Sequence, residues 1–173
     1  MKYLLTLLIL LSMSGCATSD KYRYLPEKTA NTTISYTDGE PSLVSTKNGD
    51  MVSMSPYSVT FSRDREAKFL IFAGNGGSQD IIFSISDITC THTNQDGQTS
   101  KIQLLDPDKL RSQFGRSQYQ WIFISKDTIG PKKSLFGIFA LEGINRLGVG
   151  KLTFNIKTGN QFHQIDWKLE ENN

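Results

Sequence analysis

From Ile34 onward the chain alternates short apolar runs with turn signals, and this rhythm restricts it to architectures built from hairpins. Asp38-Gly39, Asn48-Gly49, Asp96-Gly97 and Gly159-Asn160 supply residues that tolerate positive φ, which tight hairpin turns demand. Between them the pattern predicts strands near Ile34–Tyr36, Leu43–Thr46, Met51–Met54, Tyr57–Ser62, Lys68–Ala73 and Ile81–Ile85. Further strands are predicted near Ile88–His92, Ser100–Leu104, Tyr119–Ser125, Phe136–Leu141, Gly150–Lys157 and Phe162–Leu169. The last two form the clearest hairpin. Leu152, Phe154 and Ile156 share one face, and His163, Ile165, Trp167 and Leu169 share one face of the partner, leaving Gln164, Asp166 and Lys168 toward water.

One helix interrupts the strands. Asp106 is suited to N-cap and Pro107 to the first helical position, where its missing N–H costs nothing. Leu110 and Phe114 share a face, Leu105 can staple onto Leu110, and Gly115 closes the turn. A helix this short must pack on a sheet, and an open edge or end is its expected place. Many short strands and a single short helix predict an all-β, antiparallel β-sandwich over residues 34–173. The stretch Tyr57–Cys90, with its alternating VTF, KFLIFAG, glycine-rich turn and IIFSISDITC, is similar to the Ig-like modules of bacterial envelope proteins. That similarity implies an Ig-like sandwich and no activity.

The N-terminus carries an address. Lys2 precedes an almost unbroken apolar run, Tyr3–Met13, that is shorter than the roughly 20 residues a membrane-spanning helix needs. The run ends in Ser14-Gly15-Cys16. This resembles the lipobox of bacterial lipoproteins, with Met13 where that family prefers leucine. The resemblance implies a signal peptide over residues 1–15 that is cleaved, lipid on Cys16, and attachment to a membrane. Ala17, where aspartate would mark inner-membrane retention, implies the outer membrane. Residues 16–33 lack an apolar period and read as a lipidated cysteine and flexible tether, although Tyr22, Tyr24 and Leu25 are atypical of a spacer and suit contact with the domain. With Cys16 lipidated, Cys90 is left as the one thiol, a buried small hydrophobe without a disulfide partner.

Few chemistries fit the rest of the chain. Nineteen basic residues against 17 acidic ones are too balanced for nucleic-acid binding. Gly74-Asn75-Gly76-Gly77 invites a phosphate-loop reading, but Ser78-Gln79-Asp80 and an apolar strand follow where Lys-Ser/Thr and a helix belong, so a hairpin turn is expected. Cys90 and His92 point to one side of their strand, yet a metal site would need His163 from a distant strand, so no metal and no cofactor are assigned. Neither Gly-x-Ser-x-Gly nor Ser-x-x-Lys occurs. The carboxylates Asp38, Glu40, Asp64, Glu66, Asp106 and Asp108 sit in turn or cap contexts that explain them, and no catalytic residue is assigned.

Tyr119, Trp121 and Trp167 are the candidate interaction residues, with core packing as the competing role, since aromatic rings serve both. These readings lead to a non-enzymatic outer-membrane lipoprotein whose sandwich binds another cell-envelope protein in the periplasm. The alternative is a module that binds glycan or inhibits a cell-wall hydrolase, and a third reading is a hydrolase with spatially assembled carboxylates.

Overall fold

The structure, a computed structural model, describes residues 22–37, 39–57, 67–113 and 126–171. The signal segment, Cys16, the strands expected over 58–62 and Tyr119–Ser125, and with them Tyr119 and Trp121, lie outside the described residues. The strands are β1 (Tyr22–Glu27), β2 (Thr32–Thr37), β3 (Glu40–Lys47), β4 (Asp50–Pro56), β5 (Ala67–Gly74) and β6 (Ile81–Ser84). They continue with β7 (Ile88–Asn94), β8 (Thr99–Ile102), β9 (Lys126–Ile129), β10 (Ser134–Leu141), β11 (Gly150–Thr158) and β12 (Gln161–Glu171). Among the described residues one α-helix, α1 (Pro107–Gln113), follows β8.

Sheet I runs β1-β12-β11-β7-β8, sheet II runs β10-β5-β4-β3-β2, and β6 pairs with β9 in a small third sheet. All these pairings are antiparallel. The two five-stranded sheets share one core. Leu43, Val52, Met54, Phe69 and Ile71 from sheet II meet Cys90, Leu152, Phe154, Ile165 and Trp167 from sheet I. Phe69 sits at its centre, edge-on to Phe154 at 5.0 Å and to Tyr24 at 5.4 Å, and stacked with Phe139 at 5.7 Å. The fold is an antiparallel β-sandwich.

The hairpin turns follow from their dipeptides. Asn48 (φ 49°) and Gly49 (φ 89°) both take left-handed backbone between β3 and β4, the type I′ geometry that matches strand twist. The glycine-rich loop after β5 is a correction, because it makes no hairpin: it carries the chain out of sheet II to β6. Its glycines serve close approach instead, since a Cβ on Gly76 would lie 2.0 Å from the Gly49 carbonyl oxygen. Asn75 holds the loop. Its side-chain N–H groups donate to the Gln79 and Ile129 carbonyls at 2.7 and 2.8 Å, and its Oδ1 accepts from Gly77 N–H at 2.9 Å.

Residues 22–33, expected to belong to a tether, are part of the sandwich instead. Residues 22–27 form β1, paired with β12 from Tyr22↔Glu171 to Glu27↔Asp166. Tyr22 is only 3% exposed and its hydroxyl donates to the Leu147 carbonyl. Burying alternate tyrosines against β12 outweighs the polar composition of the segment. Helix α1 is capped as expected, Asp106 Oδ1 accepting from the N–H groups of Asp108 and Lys109 at 2.9 and 3.1 Å. Of the two expected places, edge or end, it takes an edge, beside β10, the outer strand of sheet II. Leu105 and Leu110 pack on Ile138 and Ala140, covering part of the outer face of sheet II at its β10 side.

Candidate functional site

The strand β5 reads AKFLIFAG, and the alternation places Phe69, Ile71 and Ala73 inward with Leu70 and Phe72 outward. In β10, Phe139 and Leu141 point inward while Phe136, Ile138 and Ala140 point outward. Sheet II is therefore apolar on both faces. Helix α1 covers Ile138, Ala140 and part of Leu70. Among the described residues the cover ends beside the helix, and an open groove of about 630 Å³ runs across β3, β4 and β5. Val44, Met51 and Phe72 line it along the sheet, with Phe136 and Tyr57 also in its walls. Ser42 and Ser53, also in the lining, spend their hydroxyls on each other at 2.6 Å, which leaves that stretch largely apolar in character. Phe136 keeps 47% of its surface exposed. Apolar surface gathered in one concavity is the usual mark of a binding site, whereas singly exposed residues such as Phe162 are ordinary.

A second, shallower cavity of about 550 Å³ lies where β7 and β8 meet the start of α1, and Asp106, Glu142 and Lys101 border it. Asp106 is occupied as the helix cap, and Glu142 pairs with Lys109 at 3.3 Å. Both carboxylates have structural partners in this cavity.

The titratable residues singled out in the sequence are built into the core. Cys90 is buried without a disulfide, and burial pushes its thiol up to about 12, which keeps it protonated at neutral pH. His92 shares the inward side of β7 with Cys90 and meets the Gly148 carbonyl at 3.1 Å; burial lowers its pKa. His163 lies on β12, two strands from Cys90, with Phe154 and Ile156 of β11 between them in the ladder. The structure does not bring the three together, and no group of three metal-ligating side chains occurs among the described residues. His163 instead joins the two sheets. Its Nδ1 lies 3.1 Å from Ser45 Oγ on β3 and its Nε2 3.1 Å from Thr158 Oγ1 on β11. Burial and then Lys47 lower its pKa, against smaller opposing effects from Asp50 and Ser45.

Trp167 is the correction among the candidate interaction residues. It is fully buried on β12, with β1 on one side and β11 on the other, so it presents no surface to a partner. Its indole N–H finds no hydrogen-bond partner among the described residues. Asp166, expected in water, is 3% exposed. Neighbouring strands flank it, Gln164 Nε2 donates to its carboxylate at 3.1 and 3.2 Å, and Lys151 Nζ lies 3.8 Å away.

The groove residues Val44, Met51, Phe72 and Phe136 were not among the sequence candidates. The signal that marks them is the unbroken apolar run in β5, which needs cover on both faces. Comparison with protein-family models, with curated proteins and with solved structures finds no match to the chain. Among the described residues no helix is long and apolar enough to cross a membrane.

Proposed function

We propose that the protein is a non-enzymatic lipoprotein, held at the periplasmic side of the outer membrane by lipid on Cys16, whose sandwich docks an apolar segment of another envelope protein. The observation that carries the docking is the apolar groove beside α1, open among the described residues and lined by Val44, Met51, Phe72 and Phe136. Ser14-Gly15-Cys16 after an apolar run supports the anchor. Each buried methylene of an acyl chain contributes about 0.8 kcal/mol, so several chains hold a domain at the surface durably. The buried, protonated thiol of Cys90 and the structurally engaged His92 and His163 support a binding role over nucleophilic chemistry.

Two measurements test the two halves of this reading. Cys16→Ser is expected to abolish incorporation of labelled palmitate, and palmitate retained in that variant overturns the anchor. A photo-crosslinker placed at Phe136 in the full chain in cells should capture one discrete envelope protein. The same group at Lys157, on the outer face of sheet I, should not. Equal capture from both positions, or none from Phe136, overturns the docking.

A further inference from the structure

Among the described residues the sandwich has four outer strands, and three of them are protected against pairing with another chain. Strand β1 carries Arg23, Pro26 and Glu27, and β8 is four residues long with Lys101 in it. Along β10, the Leu105 N–H donates to the Ala140 carbonyl, and the Glu142 N–H to that of Gln103, at 2.8 and 2.9 Å. Charge, proline, shortness and cover are the devices by which sheets blunt an edge. Strand β2 has none of them. Its sequence TTISYT contains no charge and no proline, and its register with β3 runs without a bulge from Thr32↔Ser45 to Thr37↔Glu40. Among the described residues no strand lies on its far side.

The ladder fixes which main-chain groups are available there. Residues 37 and 40 close the two-residue β2–β3 turn, so Thr37, Ser35 and Thr33 exchange their hydrogen bonds with Glu40, Ser42 and Val44. Pro41, which has no N–H, stands opposite Tyr36 in the intervening position. Ile34 and Tyr36 therefore aim both N–H and C=O away from the sheet. On the core-facing side of the strand Ile34 is only partly buried and Tyr36 is 67% exposed, so apolar surface continues past the last strand.

We propose that β2 is a self-pairing edge that joins a second copy of this chain, antiparallel, about a two-fold axis through Ser35. The order of residue types around Ser35 supports a copy over an unrelated strand. Reversed about that residue, T-I-S-Y-T places Ile34 opposite Tyr36 and Thr33 opposite Thr37. The two Ile34–Tyr36 positions then exchange four main-chain hydrogen bonds, and each sets a β-branched residue beside an aromatic one, a favourable cross-strand pair. The two five-stranded sheets become one continuous sheet. An edge contact of this kind buries well under the roughly 1,000 Å² of a stable interface, so the dimer is weak and concentration-dependent.

Ser35 on the axis makes a sharp probe. In the non-hydrogen-bonded position, opposing Cα atoms lie about 4.5 Å apart, within disulfide range. Under mild copper–phenanthroline oxidation, the full chain carrying Ser35→Cys should form a disulfide dimer about tenfold more than the chain carrying Thr33→Cys, which the axis separates by several residues from its own copy. Wild type, with Cys16 and Cys90, sets the background. Adding Tyr36→Pro to Ser35→Cys removes one outward N–H and should abolish the crosslink while the melting curve stays that of the single variant. Dimer formation no greater from Ser35→Cys than from Thr33→Cys overturns the proposal, as does a crosslink that survives Tyr36→Pro. A mixed disulfide with a different protein in place of the dimer also overturns it.

Discussion

The two sheets present the same kind of inner face and opposite outer faces. Outside sheet I, Arg23 pairs with Glu170 at 2.7 Å, Lys168 pairs with the same carboxylate at 2.7 Å, and Lys151 reaches toward Asp166. Outside sheet II, at the matching depth, stand Val44, Met51, Leu70, Phe72 and Phe136. An antiparallel sheet needs one apolar face for its core, and the second can be given to water. Sheet I follows that economy. Sheet II departs from it, and α1 covers only part of the departure. The proposed docking rests on this difference: apolar side chains stand open on one side of a sandwich whose other side is charged.

The largest expected effect separates inner from outer phenylalanines. Phe154 is fully buried between the sheets, and Phe154→Ala should cost about 3–5 kcal/mol in chemical denaturation. Phe136→Ala, in the open groove, should cost about 1 kcal/mol or less and should abolish capture by a photo-crosslinker moved to Met51, in the same groove. Equal costs would break the comparison, because the outer face of sheet II would then be a second closed core.

How far the sequence reveals this asymmetry depends on how local its causes are. The β2–β3, β3–β4 and β11–β12 hairpins are legible because a turn dipeptide and an alternating face lie side by side in the chain. The same alternation predicts Trp167, Ile165 and His163 inside. Strand β1 is not legible as a strand: Arg23, Pro26 and Glu27 hide it, and its partner β12 lies at the other end of the chain. Strand β9 exposes Lys126, Asp127 and Thr128 and buries only Ile129, so it carries no apolar period. Asp166 reads as solvated because nothing local shows that Gln164 and Lys151 close over it. The groove is half legible. The run KFLIFAG declares that both faces of β5 want cover, but whether a helix, a partner or nothing supplies it is settled by where α1 lands.

An intermediate effect concerns what couples the two faces. His163 spans the sheets from Ser45 to Thr158, and beside it Lys47 donates to the Phe162 carbonyl while Asn48 donates to Gln161 at 3.2 Å. Its folded-state pKa lies below the ordinary value near 6.5, so below that pH the unfolded chain binds a proton that the folded chain resists. Stability is therefore full above about pH 6.5 and falls as acid is added toward the depressed folded-state value. His92 contributes with the same sign. Melting temperatures from pH 7.5 to 5 should fall in wild type and fall less steeply in His163→Gln. Equal slopes would mean that His163 is not the group that makes the fold sensitive to acid.

The smallest effect tests the charged face itself. Lys168 is more than half exposed, and its partner Glu170 is also held by Arg23 through Nε at 3.2 Å and a terminal nitrogen at 2.7 Å. Exposed ion pairs contribute little because water screens them and two long side chains must be ordered to form them. Lys168→Ala should therefore shift stability by about 0.5 kcal/mol or less. A loss above about 1 kcal/mol would mean that the ladder acts through Asp166, the one carboxylate of this face that is buried, and binds β1, β11 and β12 as a unit. The outer face of sheet I would then be a structural network, and its contrast with the groove would be one of stability as well as of docking.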